Sequence, residues 1–268
     1  MPDVNLRFQS FHDEIEDHNK KIESIAKEAR KLLLHDGGVR RIPTGVAGFD
    51  ELVEGGVPAQ SLILLAGNAG AGKSTFARQF LVEGAMNGEP GVYVTLQENP
   101  EEIQEQMRLF GWPVDDLIQK NMLHIVQPEL YNYDALLTAI EDAIDRVKAK
   151  RLVVDSISFI GMYFEDQFKI RKALMNLSNL LKKLDCTTVA ISEIPEGENT
   201  LSAYGVEEYV ADSVIVLYFT KKGNMFIRAI AVRKMRSTKH SAKIHPVDIE
   251  RPGGMVVYPS EEIFGDVS

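Results

Sequence analysis

Alternating apolar runs and helical stretches predict an α/β chain: a mostly parallel central sheet flanked by helices, with antiparallel strands at its C-terminal end. Three observations carry that prediction. Short apolar runs at Ser61–Ala66, Gly91–Leu96, Met122–Val126, Leu152–Val154, Thr187–Ile191 and Ser213–Tyr218 are separated, in most cases, by stretches with helical spacing. The segment Gly67-Asn68-Ala69-Gly70-Ala71-Gly72-Lys73-Ser74-Thr75 fits the phosphate-loop template G-x-x-x-x-G-K-[ST] and lies between one such strand and a helix. Residues 1–39 differ in character from 40–268, so the chain divides into a helical extension and one larger domain.

Taken in order, the extension carries Phe8, Phe11, Ile15, His18, Ile22, Ile25, Ala29 and Leu32 at steps of three and four in a background of charged residues. That is one helix with one apolar stripe, suited to a partner protein, a second subunit or its own domain. Gly37-Gly38 ends it. From Arg41 a Gly/Pro-rich lead-in reaches the strand before the phosphate loop, where glycines let backbone N–H groups converge on an anion. Lys73 then faces the β- and γ-phosphates, Ser74 offers its hydroxyl to Mg²⁺, and the helix begun at Thr75 adds its positive end. Further helices are expected near 100–110, 134–148 and 167–184, and antiparallel strands over Phe226–Arg233, Ile244–Ile249 and Met255–Tyr258.

Composition narrows the function classes. A net charge of −9 argues against a general nucleic-acid binder, which needs clustered Lys and Arg. No stretch reads as a membrane span or a secretory leader, and a single Cys186 in an apolar setting indicates a reducing cytoplasm. The six His show no metal-ligand spacing, so any metal is expected to arrive with a nucleotide.

The chemistry-bearing residues follow from strand ends. Leu152-Val153-Val154-Asp155 is an apolar strand ending in a carboxylate that would hold Mg²⁺ beside Ser74. Glu98 follows the strand Val92–Leu96 and can orient and deprotonate water, whereas its neighbour Gln97 can only orient it. Ser192 ends another strand and is a candidate γ-phosphate sensor or a simple cap. In Lys234-Met235-Arg236-Ser237-Thr238-Lys239-His240, an extended backbone would turn Lys234, Arg236 and Thr238 one way, suited to phosphate oxygens.

Thr44-Gly45, Phe49-Asp50-Glu51-Leu52, Gly55-Gly56-Val57-Pro58, the phosphate loop, Phe110-Gly111-Trp112, Asp155-Ser156, Tyr204–Asp212 and Lys234–His240 together resemble the KaiC-like branch of the RecA superfamily of ATPases. The resemblance covers residues 41 to 259 as one domain. It implies a RecA-like core and a homo-oligomeric ring, commonly hexameric, with Mg²⁺ and ATP bound between subunits. It also implies that Lys234 and Arg236 reach the neighbour's γ-phosphate and that His240 contacts nucleotide. The function expected is a regulatory or signalling ATPase of slow turnover. A non-hydrolysing ATP sensor stands as the alternative, because Gln97 replaces the first of the family's two adjacent glutamates. Ala242 also replaces a family basic residue. A recombinase-like DNA filament is the third reading, and it fits poorly with the glutamates of Glu193–Thr200.

Overall fold

A computed structural model describes residues 39–129, 132–164, 166–195 and 200–263. Residues 1–38 of the expected helical extension and 196–199 of the 193–200 segment lie outside the described residues. From Arg41 onward the chain forms one compact unit.

Its frame is a nine-stranded sheet in the order β11-β10-β9-β8-β3-β7-β6-β4-β5. Strands β3 (Leu62–Gly67), β4 (Gly91–Thr95), β5 (Leu123–Val126), β6 (Arg151–Asp155), β7 (Thr187–Glu193) and β8 (Ser213–Lys222) run parallel. Strands β9 (Met225–Met235), β10 (Ile244–Glu250) and β11 (Gly254–Val257) complete the sheet antiparallel. A separate pair, β1 (Arg41–Ile42) with β2 (Val57–Pro58), precedes β3.

The apolar runs are continuous because the sheet is covered on both faces, so successive residues enter different cores. Ile63 and Leu65 join Phe76 and Phe80 of α1 (Lys73–Met86) on one face. Leu62, Leu64 and Ala66 join the buried residues of α4 (Tyr133–Val147) and α5 (Gln167–Lys183) on the other. Helices α2 (Pro100–Leu109) and α3 (Val114–Gln119) add to the first core, and α6 (Glu207–Val210) precedes β8.

Packing also explains the buried charge of Arg151, which is 2% exposed at the start of β6. It pairs with Glu89 at 2.8 Å and donates to the carbonyls of Pro43 and Phe80, so the charge is neutralised and its donors are satisfied.

Two expectations change. Strand β8 continues past Tyr218 to Lys222, and β9 begins at Met225, making one long hairpin whose tip is held by cross-strand pairing rather than burial. The stretch after Met235 is not extended: Ser237 adopts φ 55°, a left-handed turn that redirects the chain, and Arg41 donates to Ser237 O and binds Thr238 Oγ1. Lys234, Arg236 and Thr238 therefore do not form one row.

Candidate nucleotide site

At the carboxyl ends of the parallel strands lies a cleft of about 840 Å³. The phosphate loop forms its floor. Gly67 ends β3 where a Cβ would stand 2.3 Å from Leu217 O, so the loop leaves the sheet at a point that only glycine permits. Asn68 then clamps the loop to the next strand: its amide donates to Phe219 O at 2.7 Å and accepts from Phe219 N at 2.9 Å. Ala69 and Gly70 are exposed at the tip, Ala71 is buried beneath it, and Gly72 turns into α1 with φ 98°. Gly70, Gly72, Lys73, Ser74 and Thr75 line the cleft.

Lys73 Nζ donates to Gly67 O and Asn68 O, each at 2.9 Å, so the ammonium lies over the loop. Burial lowers its pKa, while Glu193 and Asp155 oppose that shift. Ser74 Oγ donates to Asp155 Oδ2 at 2.9 Å, and Tyr93 donates to the same oxygen. Burial, then the Asp155 charge, raises the Tyr93 phenol well above its ordinary range, so it serves there as a donor. One hydroxyl and one carboxylate at this separation suit a hard cation that keeps several waters, as Mg²⁺ does. Among the described residues no group of three or more His, Cys, Asp or Glu could hold a metal by itself.

Glu98 lines the same cleft and Gln97 does not. Thr95 Oγ1 bonds both the N–H and the C=O of Glu98, and Asn99 caps α2 just beyond, fixing the backbone at this point. The Glu98 carboxylate receives Arg78 Nη2 at 3.1 and 3.2 Å and Gln106 Nε2 at 3.0 Å.

Ser192 stands elsewhere. It is fully buried, donates to Glu207 at 3.3 Å and accepts from Ala203 N, which makes it part of the packing under α6.

The basic cluster is also outside this cleft. Lys234 Nζ donates to Glu208 O and Ala211 O, and Arg236 pairs with Asp212 at 2.9 Å. Asp212 N bonds Leu62 O, at the end of β3 opposite to Gly67. Burial and the Arg236 charge lower the Lys234 pKa. His240 Nδ1 contacts Ser241 O, and Ser241 N bonds Leu52 O, on neither wall of the cleft.

Several cleft residues carried no sequence signal. Arg228 crosses from β9 to donate to Gly70 O at 3.1 Å, with its guanidinium 4.6 Å from the Phe219 ring. Ile249 and Arg251 come from the end of β10, and Arg251 stands 5.2 Å from the Phe110 ring. Arg78 could have been found by periodicity, since it follows Ser74 by four residues on one helix face.

The family model for the KaiC ATPase matches residues 42–262. Circadian clock protein KaiC3 of Synechocystis sp. is 36% identical over 238 residues, covering 84% of this chain; the chain spans 47% of that protein's length. A UPF0273 protein of Pyrococcus furiosus is 34% identical over 240 residues, covering 83% of this chain and 96% of its own. The crystal structure of a KaiC-like protein from Pyrococcus horikoshii OT3 superimposes with a TM-score of 0.76 at 42% identity, covering 82% of this chain and all of the other.

Proposed function

The chain belongs to the KaiC family of ATPases, and from that premise we propose that it is a slow, Mg-dependent ATP hydrolase that works as a regulatory ring in the cytoplasm. The observation that supports it best is the division of the predicted residues between two ends of one sheet. Lys73, Ser74, Asp155 and Glu98 gather around one cleft, while Lys234 and Arg236 stand by Asp212 and Leu62. A head-to-tail ring, commonly hexameric in this family, would bring one subunit's basic pair to the next subunit's cleft and so complete the site between copies.

In this reading the ATP phosphates lie on the loop from Gly67 to Thr75, and Lys73 turns from the loop carbonyls to the β- and γ-phosphates. Mg²⁺, when bound by Ser74 and Asp155, supplies charge stabilisation to the β- and γ-phosphate oxygens. Glu98 holds the attacking water and takes its proton as the water oxygen bonds to the γ-phosphorus and the bond to the ADP oxygen breaks. The exposed Arg251, backed by the Phe110 ring, offers its guanidinium plane to the base. His240 is assigned to the neighbour's nucleotide. No helix among the described residues is long and apolar enough to cross a membrane.

Two variants test the assignment. Lys73→Ala should abolish binding of a fluorescent ATP analogue. Glu98→Gln should keep binding but lose about 10² to 10⁴ in turnover, the usual range for a general base. A Glu98→Gln protein with unchanged turnover would remove Glu98 from that role. The exposed Gln97 motivates a second reading, an ATP sensor that assembles with nucleotide and leaves it intact. ATP that survives hours in the assembled protein would favour it.

A further inference from the structure

Arg78 is the least expected charge in the cleft. It is 4% exposed, one turn along α1 from Ser74, and its Nε is buried with no hydrogen-bond partner. A guanidinium removed from water to this degree needs a carboxylate to neutralise it. Its ion pair is with Glu98, and Gln106 bonds both members of that pair. The guanidinium also lies 5.5 Å from the Tyr93 ring, whose hydroxyl reaches Asp155, the carboxylate that Ser74 shares.

The side chains therefore form one connected line, Ser74, Asp155, Tyr93, Arg78, Glu98 and Gln106, joining the proposed metal-holding pair to the proposed base. Such a line has a mechanical consequence. Glu98 sits just after a strand and its carboxylate is part-exposed, so without a partner it would sample several rotamers. Arg78 is anchored in the helix that carries the phosphate-gripping Lys73. A carboxylate tied to it moves with the phosphate loop and keeps its distance from whatever the loop holds.

We propose that Arg78 is the positioning residue of Glu98: with Gln106 it holds the carboxylate at a fixed place beside the phosphate loop, and catalysis depends on it only through Glu98. This rests on the reading of Glu98 as the base. Arg78 donates to both oxygens of the carboxylate and Gln106 to Oε2, so the pair orients Glu98 and leaves a lone pair on Oε1 to meet water while the side chain lines the cleft.

The test is a double-mutant cycle in single-turnover hydrolysis of radiolabelled ATP, with binding measured separately. Arg78→Met keeps the volume of the site. It should lower the rate about tenfold, the scale set by releasing one glutamate side chain from a fixed rotamer, with ATP affinity changed less than twofold. Made in the Glu98→Gln protein, the same substitution should lower the residual rate by less than twofold, because nothing remains to be positioned. Gln106→Ala, at an exposed residue, should give a smaller loss of the same kind and carries the test if Arg78→Met does not fold.

A rate that is unchanged or raised in Arg78→Met would overturn the proposal, the latter by showing that the pair restrains Glu98. A tenfold loss in both backgrounds would also overturn it, since Arg78 would then act without Glu98. An inactive Glu98→Gln beside an unaffected Arg78→Met rejects only the positioning role. An active Glu98→Gln rejects the base assignment itself.

Discussion

Arg236 provides the sharpest consequence of the fold. Its N–H bonds Asp212 O, and Asp212 N bonds Leu62 O, which ties it to the first residue of β3. The phosphate loop starts at the last residue of that strand, Gly67, about 17 Å away at roughly 3.3 Å per residue. That distance exceeds what an arginine side chain spans, so Arg236 cannot serve the cleft of its own chain. If it serves a neighbour's, two inactive variants must restore one another. Arg236→Ala should lose about 10³ to 10⁵ in turnover, the range for an arginine acting in trans. Fold and stability should hold, since Arg236 is exposed and Asp212 keeps Lys182 at 3.1 Å and Leu62 N at 3.1 Å. Glu98→Gln is inactive but keeps nucleotide, so it still assembles. In rings assembled randomly from equal amounts of both, a working site needs an Arg236→Ala subunit followed by a Glu98→Gln subunit. One half times one half gives about a quarter of wild-type activity per subunit. The assay is phosphate release from co-expressed, doubly tagged and doubly purified rings. Activity no greater than the sum of the two separate variants would refute trans action.

Other consequences follow from single positions. Gly72→Ala places a Cβ 2.8 Å from Met255 Cε at a left-handed φ of 98°, which should cost about 1–2 kcal/mol in urea denaturation and weaken ATP binding; unchanged stability would contradict the loop geometry. Trp112, the sole tryptophan, stacks on Phe110 at 4.8 Å, so nucleotide should change its emission, and Phe110→Ala should remove the change; a silent Trp112 would place the base elsewhere. Burial pushes the Cys186 thiol up to about 11, so thiol reagents should label it only on unfolding, and labelling that is fast in the folded protein would contradict its burial. The same shift has a sign: below about pH 9 the thiol is neutral in both states, whereas between 9 and 11 the unfolded chain alone ionises. Stability should fall across that window, and Cys186→Ala should flatten this part of the slope.

Much of this was legible in the residues because the relevant signals are local. The runs that became β3, β4, β6 and β7 are apolar on both faces since helices cover both, and the phosphate loop announces itself by spacing alone. Asp155 and Glu98 could be placed at strand ends before any strand order was known. What stayed hidden depends on contacts distant in sequence. Arg228 reaches Gly70 only because β9 pairs with β8, and β8 with β3. The two-residue strands β1 and β2 have too few residues to show a period. Helix α3 is a short acidic segment whose buried Val114 and Leu117 show only against the first core. Ser237 looked compatible with a strand because a left-handed serine has no signature in composition. Arg78 was readable as a helix-face neighbour of Ser74, but its pairing with Glu98 depends on how the chain turns after β4.

The central claim is that this chain assembles with Mg-ATP and then hydrolyses it. The direct measurement is light scattering coupled to size exclusion, with phosphate release followed in the same sample, for the wild-type protein and Lys73→Ala. The account predicts a nucleotide-stabilised oligomer that releases phosphate, and a Lys73→Ala protein that does neither. An oligomer holding intact ATP for hours would contradict hydrolysis, and phosphate release from a monomer would contradict the shared site.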